Sequence, residues 1–347
     1  MKATGGLVPE SLEQSQPTAP PSAVGSAPVA PPAIPSRGRS DLKLGPYDRA
    51  VFYLILATVH LLSLLPDFAL YALGVVAGRL AYRLDKRHVR IGLKNLEIAF
   101  PGKSADERRR ILRESYVNLG RTGAEYIRLG GFFYRRLLRR VRYEGLELWD
   151  EMKRLSPGRG ILILSAHFGN FELLAAAHAM NGHQVSLVHH TQRFLPGEAL
   201  MTFVRERAGV GIIRKYAAAR PVLRALHQGQ MVGIPFDQNA KRSQALFVPF
   251  FGELAATTSG LARLARRSGA AVVPVFIIRD SNHRTHRILI QDEIPLQRSS
   301  DAEADMLENT RRFVAAIEQI VREYPEQFLW THRRYRTRPR GAPRIYD

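Results

Sequence analysis

From Pro157 onward the chain alternates short apolar runs with segments of helical periodicity, and this alternation limits the fold more than any other feature. Short apolar runs between turn residues are typical of buried strands, and strands that alternate with helices form doubly wound or mixed sheets. The expected strands are Ile161–Leu164, Gln184–His189, Met231–Pro235 and Ala271–Ile278. The expected helices are Phe171–Met180, Leu200–Ala208, Ala219–His227, Ser259–Ser268 and Asp305–Glu323. The sequence therefore predicts an α/β fold with a mixed central sheet flanked by helices.

The N-terminal region divides into a tail and a hydrophobic segment. Residues 1–45 are rich in Pro, Ala, Ser and Gly, a composition that favours disorder and that lacks the pattern of a cleavable secretory signal. Residues 46–85 are predicted to anchor the chain to a membrane, since the run Ala50–Leu65 carries no charge. At this borderline length, and with a second apolar run at Phe68–Ala77, a single span, a re-entrant hairpin and a pair of buried helices are all open.

Basic residues follow the apolar run Phe68–Ala77 directly and favour a cytoplasmic main body. They are Arg79, Arg83, Lys86, Arg87 and Arg90. The remaining residues, 86–347, are expected to form the α/β domain. A long helix over Ala105–Leu129 is predicted within it from the 3.6-residue periodicity, with Ser104 and Glu107 as a capping box.

Charge and cysteine content narrow the class of protein. The net charge of +20 predicts attraction to polyanions such as nucleic acid, anionic lipid headgroups, phosphorylated substrates or an acidic carrier protein. The chain contains no cysteine, which excludes disulfides, thiolate metal sites and a cysteine nucleophile. A closing basic run after Trp330, which includes Arg333 and Arg334, suits headgroup or carrier docking as well as nucleic acid.

The candidate catalytic pair is His167 with Glu172, in the run His-Phe-Gly-Asn-Phe-Glu. With 11 His and 31 acidic residues in 347, about one pair at this spacing is expected by chance, so the spacing alone says little. Its context is more informative, because His167 follows a predicted strand and Glu172 opens the next helix, with Gly169 and Asn170 in the turn. Ligands bind at this edge of an α/β sheet.

A histidine in this position can act as a general base. A carboxylate bonded to its second ring nitrogen would fix the tautomer and stabilise the imidazolium, a role that we expect of Glu172. Neither a GxSxG nor an HExxH motif is present, so the hydroxyl to be activated should belong to the substrate. The alternative is a structural histidine at a strand end.

Five ordered blocks after residue 45 resemble the lipid A biosynthesis late acyltransferases, the lauroyl- and myristoyltransferase type of the HX4D/E acyltransferase superfamily. The blocks are Arg90–Pro101, Ala166–Glu172, Asp237–Asn239, Phe247–Gly252 with Ala256–Thr258, and Tyr324–Pro339. The resemblance implies a glycerol-3-phosphate-acyltransferase-like sheet preceded by an N-terminal membrane helix. It also implies transfer of a fatty acyl group from acyl carrier protein to a hydroxyl of a lipid A precursor in lipopolysaccharide biosynthesis.

The resemblance further implies a place for the protein and its partners. The enzyme would work at the bacterial inner membrane with its catalytic domain on the cytoplasmic face, and it would meet acyl carrier protein, the glycolipid acceptor and anionic lipid. No cofactor, metal ion or nucleic acid is expected.

Substrate contacts are expected around the catalytic pair. Relatives commonly carry an arginine just after the strand that here ends at His189 and His190, so Arg193 and Arg214 become candidates for the oxyanion or phosphate contact. The remaining candidate substrate-binding residues are Asn170, Asp237, Gln238, Arg333 and Arg334.

Two other functions remain open on the sequence. One is acyl transfer to another phospholipid or glycolipid. The other is non-catalytic binding of membranes or polyanions through the arginine clusters, with no dependence on His167.

Overall fold

The computed structural model of the protein describes residues 42–346, so most of the predicted tail, residues 1–41, lies outside the described residues. The helices are α1 (Pro46–Leu62), α2 (Asp67–Leu84), α3 (Lys86–Ala99), α4 (Ala105–Gly130), α5 (Tyr134–Leu138), α6 (Leu146–Leu155), α7 (Phe171–Met180), α8 (Leu195–Arg207), α9 (Ala219–His227), α10 (Gly260–Ser268) and α11 (Ala302–Glu323). The strands are β1 (Val141–Glu144), β2 (Ile161–Ser165), β3 (Val185–His189), β4 (Gly211–Arg214), β5 (Met231–Pro235), β6 (Ala245–Phe250), β7 (Glu253–Thr258), β8 (Ala271–Arg279) and β9 (His286–Ile290).

Seven of the strands form one sheet in the order β1-β9-β8-β2-β5-β3-β4. Strands β8, β2, β5, β3 and β4 run parallel, whereas β9 is antiparallel to β8 and parallel to β1. Strands β6 and β7 form a separate antiparallel hairpin. The predicted mixed central sheet flanked by helices is thereby confirmed.

Strand β2 lies near the middle of the sheet and is buried on both faces. Leu162 and Leu164 belong to the hydrophobic core on one face, and Ile161 and Ile163 belong to the core on the other. Alternate side chains of a strand point to opposite faces, so a strand covered on both sides is apolar throughout. This explains why the run was recognisable in the sequence, and it places the end of β2 at the centre of the molecule.

Helix α4 confirms the predicted long helix and its cap. The Ser104 hydroxyl accepts a hydrogen bond from the Glu107 backbone, and the Glu107 carboxylate accepts one from the Ser104 backbone. Helix α2 packs closely along α4, because Gly74 and Gly78 face Gly120 and Tyr116 without intervening side chains.

The hydrophobic segment forms two helices, α1 and α2, joined at Pro66. Among residues 42–346, no helix combines the length and the apolarity that crossing a membrane requires. The predicted N-terminal membrane helix is therefore not found as a span. Both helices keep large apolar side chains exposed, among them Leu54, Leu61, Phe68 and Val76.

Candidate active site

The turn between β2 and α7 carries His167, and neighbouring elements fix its backbone. Gly169 has a φ of +55°, and an added Cβ there would collide with the carbonyl oxygen of Ile277, so this position requires glycine. The Gly169 amide donates to the Gln327 carbonyl at 2.8 Å, and the Leu329 amide donates to the His167 carbonyl at 3.1 Å. The segment that follows α11 therefore holds the turn in place.

Asn170 caps helix α7 and ties it to a buried charge cluster. Its side-chain oxygen accepts from the Leu173 amide at 3.0 Å, and its amide nitrogen donates to Glu125 at 2.8 Å. Glu125 is fully buried and pairs with Arg279 and His286. Asn170, predicted to bind substrate, is itself fully buried and is not among the residues that line the apolar cavity beside His167.

The Nδ1 atom of His167 is hydrogen-bonded to the Asp237 carboxylate. Ser165 of β2 pairs with Pro235 of β5, so the residues that follow these parallel strands lie side by side. Asp237 Oδ1 lies 2.9 Å from His167 Nδ1 and accepts from the His167 backbone amide at 3.1 Å. The Asp237 side chain is 2% exposed, so its charge is screened little by water.

This arrangement sets the tautomer of His167. Asp237 accepts the Nδ1 proton, which leaves a lone pair on Nε2. The Gln238 amide nitrogen lies 3.3 Å from that Nε2 and can donate to it. Gln238 therefore lies beside the atom that would take a proton from a substrate.

Opposing effects set the pKa values of this pair. Burial lowers the pKa of His167, but the charge and hydrogen bond of Asp237, together with the charge of Glu172, raise it by more, so the net pKa lies above its ordinary value. Burial raises the pKa of Asp237, yet His167 and backbone hydrogen bonds lower it overall. The structure thus favours an ionised Asp237 beside a histidine of increased basicity.

Glu172 does not bond to His167, so the predicted hydrogen bond between them is wrong. The Glu172 carboxylate accepts two hydrogen bonds from Arg205 of α8, at 2.9 Å from Nε and 2.5 Å from Nη2. Both side chains are buried, at 8% and 6% exposed. Glu172 acts on His167 through its charge, and Asp237 occupies the position that the sequence had given to Glu172.

An apolar cavity of about 330 Å³ opens next to His167. Its apolar wall comes from α7, α8 and the strands β2, β3 and β5, and includes Ile163, Leu174, Ala175, Val185, Leu187, Met201 and Ile234. The polar groups His167, Glu172, Arg205 and Gln238 also line it. Ligand sites commonly combine such an apolar pocket with a few polar groups at one end.

A second histidine and carboxylate pair, His189 with Glu198, adjoins this cavity. His189 Nε2 lies 2.8 Å from Glu198 Oε2, and the Gln192 amide donates to the same oxygen at 2.9 Å. Burial and the nearby positive charge of Arg205 outweigh the effect of Glu198 and lower the pKa of His189. His189 is therefore held by a carboxylate, whereas His190, which stands where an arginine was expected, is exposed.

The structure separates the other predicted substrate contacts. Arg193 is exposed and is not among the cavity-lining residues. Arg214 donates to the Thr191 hydroxyl at 2.9 Å and is likewise not a lining residue. Arg334 is buried and donates to the Ala256 carbonyl and the Thr257 hydroxyl, at 2.9 and 2.6 Å. Arg333 lies in a neighbouring basic pocket.

Sequence reasoning missed Arg205. It shares a helix face with Glu198 and Thr202, and such a polar stripe is usually exposed to solvent. Here that face is buried against the sheet, so the charged residues pair with others on β3 and α7. The available signal was the spacing i, i+4, i+7 of Glu198, Thr202 and Arg205 in a helix whose other charged residues, Glu206 and Arg207, are at its C-terminal end.

No group of three His, Cys, Asp or Glu side chains within the described part of the chain is arranged to hold a metal ion.

The sequence is similar to those of known acyltransferases. The family model described as bacterial lipid A biosynthesis acyltransferase matches residues 42–337. The chain is similar to the lipid A biosynthesis lauroyltransferase of Escherichia coli (strain K12), at 30% identity over 297 residues, which cover 85% of this chain and 94% of the relative.

Two further relatives from the same organism are similar over most of their length. The lipid A biosynthesis palmitoleoyltransferase is 31% identical over 285 residues, which cover 81% of this chain and 90% of the relative. The lipid A biosynthesis myristoyltransferase is 29% identical over 269 residues, which cover 78% and 81%.

Proposed function

Since this chain belongs to the bacterial lipid A biosynthesis acyltransferases, and is therefore an acyltransferase, we propose that it transfers a fatty acyl chain from acyl carrier protein to a hydroxyl of a lipid A precursor, with His167 as the general base. The observation that carries this proposal is the buried Asp237 behind His167 at the polar end of an apolar cavity. The cavity would hold the acyl chain, and His167 Nε2 would face the acceptor hydroxyl.

The reaction needs one base and no enzyme nucleophile. His167 Nε2 removes the hydroxyl proton as the acceptor oxygen attacks the thioester carbonyl carbon, and Asp237 stabilises the imidazolium that forms. The tetrahedral intermediate then loses the carrier thiolate, which takes the proton back from His167. The products are the new ester and the free carrier thiol, so protons and electrons balance.

The oxyanion of that intermediate needs a hydrogen-bond donor. Arg205 is a better candidate for this donor than Arg193 or Arg214, because it lines the cavity beside Glu172. Its Nη1 atom is buried without a hydrogen-bond partner among the described residues. Buried donors are usually satisfied, so a ligand oxygen is a fitting partner for Nη1.

The α1–α2 pair supports attachment to the cytoplasmic face of the inner membrane. The exposed apolar side chains of the two helices would enter the lipid interface, and the basic residues Arg79 and Arg83 of α2 would meet anionic headgroups. The catalytic cavity would then open near the surface from which the acceptor lipid is drawn.

The central test is His167→Ala in purified protein given acyl carrier protein charged with different acyl chains and a lipid A precursor. Mass spectrometry should show the gain of one acyl chain with the unchanged protein and a loss of roughly 10²- to 10⁴-fold in the variant. His227→Ala, at an exposed position on α9, is the matched control and should keep full activity. An active His167→Ala enzyme would contradict the mechanism.

The acceptor is identified separately. In a strain that lacks this protein, lipid A should carry one acyl chain fewer. If a different lipid lacked the chain instead, that lipid would be the acceptor.

A further inference from the structure

A basic pocket lies beside the catalytic turn and is separate from the apolar cavity. It has a volume of about 280 Å³ and is lined by Arg87, His88, Asn239, His332, Arg333 and Arg336, among others. Asn239 follows Gln238 in the chain, and its backbone amide donates to His332 Nε2 at 2.9 Å. Because Gln238 contacts His167, only a few residues separate this pocket from the base.

Two of the pocket's arginines carry uncompensated charge. Arg87 and Arg336 are exposed, and neither has a carboxylate within 4.0 Å among residues 42–346. Neighbouring basic residues do have acidic partners, since Arg338 pairs with Glu253 and His88 is bonded to Asp85. Desolvation by burial is the main reason that the pKa of His332 is lowered to about 4, so this ring is neutral and the positive charge comes from the arginines.

The backbone that carries Arg333 and Arg336 is held rigidly. Asn95 donates to the carbonyls of Trp330 and His332 at 2.6 and 2.8 Å. Asn239 donates to the Thr337 hydroxyl at 3.1 Å and accepts from the Thr337 amide at 2.9 Å. A fixed backbone lowers the entropy that is lost when the arginines close on a ligand.

We propose that this pocket binds a phosphate group of the glycolipid acceptor, through Arg87 and Arg336 with Arg333 beside them. Guanidinium groups recognise phosphate oxygens by paired, charge-assisted hydrogen bonds. The pocket is concave and of small-molecule size, which suits a phosphate better than the broad acidic surface of a carrier protein. This inference rests on the proposed function, and it assigns the acceptor's orientation, with one phosphate in the pocket and the reacting hydroxyl at His167.

The test is the double variant Arg87→Gln/Arg336→Gln, assayed with a phosphorylated lipid A precursor and with the same precursor after enzymatic removal of its phosphates. We expect kcat/KM for the phosphorylated acceptor to fall about tenfold or more, mainly through KM, because charge-assisted hydrogen bonds are lost. With the dephosphorylated acceptor, the variant and the unchanged protein should agree within about twofold.

The matched control removes the same charge elsewhere. Arg220 and Arg224 are exposed on α9 with no carboxylate within 4.0 Å in the described chain. The variant Arg220→Gln/Arg224→Gln should therefore keep the kcat/KM of the unchanged protein with both acceptors. An equal loss with both acceptors, or a rise in KM for the acyl carrier protein alone, would overturn the proposal.

A binding measurement distinguishes failure of this inference from failure of the proposed function. If the unchanged protein transfers no acyl chain to either acceptor, the proposed function fails, but calorimetry with the two precursors in micelles still tests the pocket. Tighter binding of the phosphorylated form that disappears in the Arg87/Arg336 variant supports the pocket. Equal binding of the two forms by the unchanged protein refutes it.

Discussion

The contact between Asp237 and His167 is expected to set the pH dependence of the enzyme. Burial lowers the pKa of His167, but Asp237 raises it by more, so the net pKa lies above the ordinary value of a histidine. The reaction needs the neutral imidazole, and the rate should therefore rise with pH as His167 loses its proton. At lower pH the ring is protonated and cannot accept the hydroxyl proton.

Replacing Asp237 by Asn should move that profile. Without the negative charge the pKa of His167 falls, so the midpoint of the acidic limb shifts to lower pH. The plateau rate should fall by about 10²- to 10⁴-fold, because Asn can also donate to Nδ1 and so favours the wrong tautomer. The measurement is kcat/KM against pH.

Asp292→Asn, at an exposed position, serves as the control and should leave the profile in place. A reduced plateau with an unmoved midpoint would show that Asp237 does not govern the pKa of His167.

At the same scale, the sequence pointed to His167 as the candidate base but did not predict that Asp237 contacts its ring. His167 was recognisable because it ends an apolar strand. Its contact with Asp237 depends on β2 and β5 being neighbours in the sheet, and the contact of Glu172 with Arg205 depends on how α8 lies against α7. Both are long-range contacts, and no local spacing encodes them.

Among the elements, buried strands and amphipathic helices were predictable and edge elements were not. The four strands and five helices predicted after Pro157 are present, with α8 and α11 beginning a few residues early. Strands β1, β4 and β9 escaped prediction, because each contains an arginine and is only partly buried. The β6–β7 hairpin was also missed, since Pro249 falls within β6.

Helices α2 and α4 touch through glycine, and this contact can be tested by one methyl group. A Cβ on Gly120 would collide with the Gly74 carbonyl oxygen, which belongs to rigid helical backbone. Gly120→Ala should therefore lower the free energy of unfolding by about 1–3 kcal/mol, as measured by urea denaturation.

Gly123 offers the matched substitution on the same helix. A Cβ there would meet nothing within 4 Å, so Gly123→Ala should raise stability by about 0.5–1 kcal/mol. If the two variants were equally stable, the close approach of α2 and α4 would not hold in solution.

For the whole molecule, the positive charge and the exposed apolar helices predict how the protein meets a membrane. The chain carries a net charge of +20, and Leu61 and Phe68 are 68% and 70% exposed. The charge should attract anionic vesicles at low salt, and apolar insertion should keep the protein bound when salt screens the charge.

Flotation with anionic vesicles at high salt tests this attachment. Leu61→Glu/Phe68→Glu should reduce the bound fraction roughly tenfold or more, since two buried apolar side chains are worth several kcal/mol. Leu307→Glu, an exposed position on α11, should bind as the unchanged protein does. Undiminished binding of the double variant would exclude the α1–α2 face as the membrane contact.

The hydrogen bonds of the turn between β2 and α7 also determine when this turn can form during synthesis of the chain. Gly169 and His167 are bonded to residues 327 and 329, which leave the ribosome about 160 residues after the turn itself. A nascent chain can already contain His167, Asp237 and Arg205 while the acceptor for the Gly169 amide has yet to be made. This turn can therefore take its final form only after residues 327 and 329 have been made.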